Sequence, residues 1–408
     1  MSVGEVDILL GIPSYNSAGT IGQALRAAEE SFQQSFVRER VVIVNVDGGS
    51  TDNTADVLRR KDAMRNREHK GLTTLRTIQR VTAQYARTPS PGMALRAVVA
   101  AADLLRAKAC AIVSPSTTNL TASWVANLLR PIYREHYDFV APLYSRGKFQ
   151  GLLARNLLYP MSRAIFGQGI RELYSDEWAF SGRLASHCLE QNVWQEQAVR
   201  ARPEAWMAIT AMCSAYKCSQ YFLGQKSAAA PGASVDIVET MRDTVGNLFW
   251  AMEANQAHWL DRDGPQPIPT FGPDHELLPD EPPANIEKIF DLFRSGVNEL
   301  NPILTSILSA DTFGQIKVIA GLEPGKFRFA MELWVKVLYE FAAAYHRAIL
   351  NRDHLVQALV PLYRGQLYSY LQEYGQASPE SMEVAAEALC CEFERQKPYL
   401  VERWKAKR

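Results

Sequence analysis

The sequence predicts an α/β fold, a mostly parallel sheet covered by helices on both faces, followed by an all-helical carboxy-terminal region. Three observations predict it. Short β-type runs alternate with helical patterns up to about residue 110. The run Val41-Val42-Ile43-Val44-Asn45-Val46 is apolar on both faces, as a parallel strand between helix layers must be. Beyond a proline-rich stretch, apolar residues recur at helical intervals to the end of the chain.

Taken in order, residues 7–12 form a branched, apolar run ended by Pro13 and Asn16, which reads as the first strand. Residues 20–32 have helical spacing, with Ile21, Leu25, Ala28 and Phe32 on one face. The strand at 41–46 leads into Asp47-Gly48-Gly49-Ser50-Thr51-Asp52, a turn rich in helix-capping residues, and then a helix over 55–61. A helix over 93–107 precedes a strand over 109–113. The order β-α-β-α-α-β implies a parallel sheet. Between residues 263 and 285 fall seven of the 21 prolines, so this stretch cannot hold a helix or a central strand and reads as a linker or wrapping arm. Residues 286–297, 327–350, 353–374 and 379–396 then read as helices. Leu333, Val337 and Phe341 share one face, as do Leu355, Leu359, Tyr363 and Leu367. The expected domains are therefore 1–260, a linker over 261–284, and a helical domain over 285–408.

Composition narrows the function. The 408 residues include 44 basic and 44 acidic side chains, so the net charge is zero and a general nucleic-acid binder is not expected. With 47% hydrophobic and 22% charged residues, the chain is not a disordered one. The most apolar long segment, 327–346, is broken by Glu332, Lys336 and Glu340, so no membrane span is expected. No signal-peptide pattern opens the chain. The six cysteines lack disulfide or zinc spacing, which fits reduced thiols and a cytoplasmic protein.

In an open parallel sheet, ligands bind at the carboxyl ends of the strands, where strand order reverses. Here those ends carry Gly11-Ile12-Pro13-Ser14-Tyr15-Asn16, the Asp47–Asp52 turn, and Ser114-Pro115-Ser116-Thr117-Thr118-Asn119. Tyr15 offers a ring for a base to stack on. Asp47 either accepts a hydrogen bond from a base or ribose or merely caps the next helix. The pair Asp176-Glu177 is either a site carboxylate or dipole-favoured capping at a helix start. The set Trp178, Trp194, Trp206, Trp250 and Trp334 reads as packing rather than as a carbohydrate platform.

Ile12-Pro13-Ser14-Tyr15-Asn16, followed by Val46-Asp47-Gly48-Gly49-Ser50-Thr51-Asp52-Asn53-Thr54, resembles the opening of family-2-type glycosyltransferases with the GT-A fold. Arg146-Gly147-Lys148-Phe149, Tyr159-Pro160, Arg163-Ala164-Ile165-Phe166-Gly167 and Trp178-Ala179-Phe180-Ser181-Gly182 narrow it, as do Phe329–Val335 and Ala344-Tyr345-His346-Arg347. Together they resemble bacterial glucosylglycerate and glucosyl-3-phosphoglycerate synthases along nearly the whole chain. The resemblance implies that Pro13, Tyr15 and Asp47 hold the nucleoside of a nucleotide sugar such as a UDP- or GDP-hexose. It implies that Glu177 lies near the transferred sugar and that Arg146 and Lys148 reach the donor or acceptor. The implied reaction moves a hexose to a glycerate-like hydroxyl with retention.

Four departures accompany the resemblance. Ser114-Pro115-Ser116 replaces the Asp-x-Asp motif that binds a divalent cation. Ser227–Pro231 replaces a His-Asp pair, Gln150 an Asp, and Pro91–Leu95 lacks a donor-side Lys. The family Mg/Mn site is therefore expected to be lost and no metal ligand is assigned. Charge on the departing diphosphate would then fall to Ser114, Ser116 and cations drawn from Arg146, Lys148, Arg155, Arg171 and Lys226. Three functions stay open: a metal-independent hexosyltransferase, a catalytically inactive relative acting as a binding or regulatory protein, and a nucleotide sensor. A homodimer contact through the helical region or a regulatory protein partner is also expected.

Overall fold

The computed structural model describes residues 4–54, 56–57, 78–84, 90–228, 236–262, 264–274, 277–278, 280 and 286–406. Ile8–Ser14 (β1) and Val41–Asp47 (β2) pair in parallel, with Ile8 opposite Val41 and Ser14 opposite Asp47. Every residue of β2 is buried, as expected of an interior strand between helices. Ile78–Gln84 (β3) adds in parallel outside β2. The chain then returns to the other flank of β1, where Ala109–Ile112 (β4) pairs in parallel. Phe139–Ser145 (β5), Trp178–Ser181 (β6), Cys218–Gln225 (β7) and Thr270–Phe271 (β8) complete an eight-stranded sheet in the order β3-β2-β1-β4-β6-β5-β7-β8. β6 runs antiparallel to both β4 and β5, and the remaining pairings are parallel.

Ile21–Ser35 lays Ile21, Leu25 and Phe32 over Ile8, Leu10 and Ile12, and Ala122–Glu135 adds Val125, Leu128 and Leu129 to the same core. Pro91–Leu104 starts two residues before its expected first residue. Ser90 Oγ accepts the Met93 N–H (3.3 Å) and Pro91 takes the first helical position, where its missing N–H costs nothing. The helix expected over 55–61 lies largely outside the described residues.

The chain divides into two compact units, and their boundaries differ from those expected. The first unit is Met1–Ser145, Glu172–Gly232 and Ile268–His275; the second is Arg146–Arg171, Ala233–Pro267 and Glu276–Arg408. Segments expected in the α/β domain join the helical unit because their partners are there. From Tyr159–Phe166, Arg163 forms ion pairs with Glu387 (2.6 Å) and Glu394 (2.8 Å) of Pro379–Lys405. From Ile237–Ala254, Glu253 accepts from Arg352 (2.5 Å) and His346 (3.2 Å). The proline-rich stretch contributes β8 to the first unit's sheet, where prolines are tolerated on an edge; the Pro269 carbonyl accepts the Gln220 N–H at 2.9 Å.

Within the second unit, Ile286–Glu299, Met331–His346, Arg352–Tyr374 and Pro379–Lys405 are the long helices after the prolines. Phe290, Phe293, Phe327 and Tyr368 form its aromatic centre. The last helix continues beyond Gln396 through Pro398 because Leu400 and Trp404 are buried on its final turns. Among the described residues no helix is long and apolar enough to cross a membrane.

Gly182 joins β6 to the helix Gly182–Glu190 where the backbone passes against the start of β4. Its N–H donates to the Lys108 carbonyl (3.1 Å), and a Cβ there would lie 1.9 Å from the Ala107 carbonyl oxygen. A neighbouring backbone cannot step aside as a side-chain tip would. Gly182→Ala should therefore cost about 2–4 kcal/mol in urea unfolding, whereas Gly19→Ala, with open space around it, should stay within about 0.5 kcal/mol.

Candidate functional site

The sheet order reverses between β1 and β4, so their carboxyl ends flank a crevice that no crossover covers. A cavity of about 530 Å³ opens there. Its lining comes from Pro13, Ser14 and Tyr15 after β1, Ile112, Val113 and Ser114 after β4, and the first turns of Pro91–Leu104. Ser175, Asp176 and Trp178 at the start of β6 and residues 201–204 complete it.

The loops after β1 and β2 are built as one piece. Asn16 adopts a left-handed conformation (φ 47°), and its side-chain carbonyl accepts the Thr51 N–H at 2.9 Å. The Asn16, Ser17 and Ala18 amides donate to Ser50 Oγ, Thr54 Oγ1 and Asp52 Oδ2 at 2.9, 2.8 and 3.0 Å. Asp47 is 2% exposed and accepts from Ser50 Oγ (2.6 Å), the Ser50 N–H (3.0 Å), the Gly49 N–H (3.2 Å) and Ser14 Oγ (3.3 Å). In this structure it shapes the turn. This scaffold leaves the Tyr15 ring 57% exposed at the cavity.

A second piece joins the segments after β4 and β7. The Thr118 N–H donates to the Ser227 carbonyl (2.9 Å), and Asn119 clamps residues 225–227 by accepting from the Ser227 N–H (2.8 Å) and donating to the Gln225 carbonyl (2.6 Å). This clamp sets Lys226 against the start of β6. Its ammonium donates to Asp176 (2.7 Å) and Glu177 (2.8 Å). Glu177 is wholly buried and also accepts from Tyr144 Oη (2.6 Å) and from Thr117 Oγ1. Burial alone would lower the Lys226 pKa, but the two carboxylates hold it above its usual value. Burial, and then the adjoining Glu177, push the Tyr144 phenol well above its usual range.

The structure thus gathers Pro13, Tyr15 and Ser114 on one cavity and sets Lys226 beside Asp176 at its rim. Glu177 is not among the lining residues; its neighbour Asp176, 53% exposed, is. Ser116 lies next to Ser114, their hydroxyls 2.7 Å apart. Arg146, Lys148, Arg155 and Arg171 belong to the second unit. There Lys148 donates to the Gly375 and Ala377 carbonyls (both 3.3 Å), Arg155 to the Lys148 carbonyl (2.7 Å), and Arg171 to Glu383 (2.7 Å).

Sequence reasoning missed Glu204 and Arg202. Glu204 is 7% exposed on the cavity wall, with Arg202 Nη1 3.7 Å from its carboxylate. Burial pushes its carboxyl up to about 7, although Arg202 beside it pulls the other way. A buried acid with so shifted a proton affinity, in a cleft, marks a candidate functional group. The available signal was its helix: Pro203–Cys213 is apolar nearly all round, so a carboxylate in its first turn had no solvated face to occupy.

No protein-family model matches this chain, and no curated protein matches it. Among solved structures, it is similar to glucosyl-3-phosphoglycerate synthase from Mycobacterium tuberculosis in complex with Mg2+ and UDP. That similarity has a TM-score of 0.45 at 16% identity and covers 62% of this chain and 80% of that chain. The same enzyme with Mn2+, UDP-glucose and phosphoglyceric acid gives a TM-score of 0.44 at 17% identity, with the same coverage. A likeness this distant carries no chemistry over to this chain.

The expectation that the Mg/Mn site is lost is corrected by these complexes, which hold Mg2+ or Mn2+ with the nucleotide. The physical reason is that a cation on a diphosphate takes most of its oxygens from phosphates and water and needs few from protein, so the absence of Asp-x-Asp does not establish loss. Among the described residues no group of three His, Cys, Asp or Glu forms a metal cage by itself. Of the residues lining the cavity, Ser114 and Asp176 offer oxygens that fit only the smaller, phosphate-shared role, with Ser116 beside Ser114.

Lys226→Met leaves Glu177 charged and without its cation, at an expected cost of about 3–5 kcal/mol in urea unfolding, and adding Glu177→Gln should recover most of it. Glu204 has its folded-state value raised from 4.5 to about 7, so its charged form is disfavoured on folding. That penalty is absent below pH 4.5, grows as pH rises, and is complete above about pH 7. Glu204→Gln should therefore gain stability over the parent between pH 4.5 and 7.5, by up to about 3 kcal/mol, readable from unfolding curves across pH.

Proposed function

We propose that this protein is a hexosyltransferase that binds a nucleotide sugar in the cavity between β1 and β4. The observation that carries the reading is the cavity itself, at the sheet's topological switch point and lined by an exposed aromatic ring and a buried carboxyl. In this reading the base rests against Tyr15 and Pro13, and the loop shaped by Asp47 meets the ribose. The diphosphate lies by Ser14, Ser114 and Ser116, and the hexose extends toward Glu204. A divalent cation, when bound with the diphosphate, supplies charge neutralisation there, with Ser114, Ser116 and Asp176 as its protein contacts.

In the reaction, the bond from the hexose anomeric carbon to the diphosphate oxygen breaks and a bond to an acceptor hydroxyl oxygen forms. The acceptor's proton leaves with the nucleoside diphosphate. The acceptor is a small glycerate-like molecule, by the resemblance of the motifs. Glu204 orients the hexose through its hydroxyls. Glu177 acts as a positioning residue, because its three donors fix the Lys226 and Tyr144 side chains behind the cavity wall. Lys226, paired with Asp176 at the cavity rim, would offset that carboxylate's charge as negative charge develops on the leaving group.

The test is calorimetric titration with UDP, GDP, UDP-glucose and GDP-mannose in the presence of magnesium, followed by product detection with glycerate and 3-phosphoglycerate. Binding of at least one nucleotide sugar and turnover with one acceptor are expected. Glu204→Gln should lower kcat/KM by roughly 10- to 100-fold, the loss of one hydrogen bond to a charged group. Binding without turnover would make the protein a nucleotide-sugar binder, and failure of all four ligands to bind would overturn the reading.

A further inference from the structure

Among the described residues, the lining of the cavity between β1 and β4 holds one cation, Arg202, and two acids, Asp176 and Glu204. Asp176 already has the Lys226 ammonium at 2.7 Å. Arg202 has no comparable match. The Glu204 carboxylate stands 3.7 Å from its Nη1, longer than a hydrogen bond. Burial also holds the Glu204 carboxyl up at about 7, so near neutral pH part of it carries no charge to offset the guanidinium.

Other guanidinium groups of the same unit are tied to carboxylates. Arg183 donates from Nε and Nη2 to the two oxygens of Asp138, each at 2.5 Å, and Arg106 donates to Glu5 at 3.0 Å. In Arg202 the Nε is closed off from solvent and meets no acceptor, yet the side chain is 33% exposed. Neither outer nitrogen is hydrogen-bonded or closed off among the described residues. The open part is therefore the fork of Nη1 and Nη2.

A guanidinium cannot shed its proton to escape a half-buried place, and its parallel N–H groups match the two oxygens of a carboxylate. The helix Pro203–Cys213 begins just after Arg202 with no side-chain cap, so the positive end of its backbone dipole adds to the same charge. A neutral ligand would leave that charge unmatched, and an anion offsets it. In the nucleotide-sugar reading the diphosphate lies by the serines after β4 and the hexose by Glu204. An acceptor that attacks the anomeric carbon stands beside the hexose, on the side of the cavity that carries Glu204 and Arg202.

We propose that Arg202 is the specificity-determining residue for the acceptor, binding its carboxylate through Nη1 and Nη2 and so selecting a small hydroxy acid over the corresponding polyol. This rests on the nucleotide-sugar reading and deepens it by naming the residue that reads the acceptor's charge.

The test is an NMR titration of glycerate and of glycerol into protein saturated with whichever of UDP or GDP binds, in magnesium, on the parent, Arg202→Gln and Arg202→Lys. Glycerate should bind more tightly than glycerol to the parent. Arg202→Gln should shrink that preference by roughly 10- to 100-fold, the loss of a charge-assisted hydrogen bond, while affinity for the nucleotide sugar stays constant. Arg202→Lys keeps the charge without the planar fork and should shrink it by a smaller factor, ~3- to 10-fold, which also serves if Arg202→Gln fails to fold. Equal binding of glycerate and glycerol to the parent, or a preference unchanged in the folded variants, would overturn the acceptor role and leave nucleotide binding intact. So would an equal weakening of nucleotide sugar and glycerate, which would place Arg202 on the diphosphate instead. Failure of every nucleotide to bind the unmodified protein would overturn both readings.

Discussion

The buried pair between Lys226 and Glu177 draws on four strand ends at once. Thr117 follows β4, Tyr144 belongs to β5, Glu177 immediately precedes β6 and Lys226 follows β7, and all four meet around one carboxylate. A carboxylate with no exposure is tolerated only when its charge is matched and its lone pairs are filled, and here one cation and two hydroxyls do both. The requirement is geometric as well as energetic. Strands β5 and β7 run parallel while β6 between β4 and β5 runs the other way, so the start of β6 lies at the same edge of the sheet as the ends of its neighbours. The ion pair is available because one antiparallel strand interrupts a parallel sheet.

That arrangement also decides what faces the cavity. With Glu177 committed inward to Lys226, Asp176 and Trp178 on either side of it line the cavity instead. The half-exposed Asp176 carboxylate and the Trp178 side chain thus form the wall in front of the buried pair. Glu204 enters from a separate element, the apolar helix Pro203–Cys213, and Arg202 on the preceding residue moderates the cost of burying it.

Much of the fold was legible because its signals are local. The branched run of β2, the turn beginning at Asp47, and the apolar faces of the late helices each lie within a few turns of chain. The unit boundaries were not legible, because Arg163 and Glu253 find their partners more than ninety residues away, and no local composition marks such a pairing. In the site, Tyr15 and Ser114 could be placed because strand ends are readable and ligand crevices follow strand ends. Glu177 could be singled out as unusual, but its facing depends on a one-residue phase that a motif does not encode. Trp178 was read as packing; it is buried, and only its place in the cavity lining, which no local pattern marks, separates it from a core indole.

The clamp between residues 117–119 and 225–228 ties the serines to the same framework. Ser114 and Ser116 directly precede Thr117, whose hydroxyl is bound to Glu177, and Thr118 and Asn119 are held by the segment carrying Lys226. The loop that would meet the diphosphate is thus fixed from behind by the ion pair and from the side by the clamp. Its two hydroxyls bond each other at 2.7 Å, so a phosphate oxygen entering there replaces a neutral contact and meets no fixed negative charge from the loop itself. A carboxylate pair in that position would require a cation before any diphosphate could approach, because like charges at short range repel strongly in a partly dry cleft. With hydroxyls, the protein's fixed negative charge at the mouth resides on Asp176, which Lys226 already offsets at 2.7 Å. In the proposed reading, a diphosphate would therefore meet no uncompensated negative charge from this loop, with or without its cation.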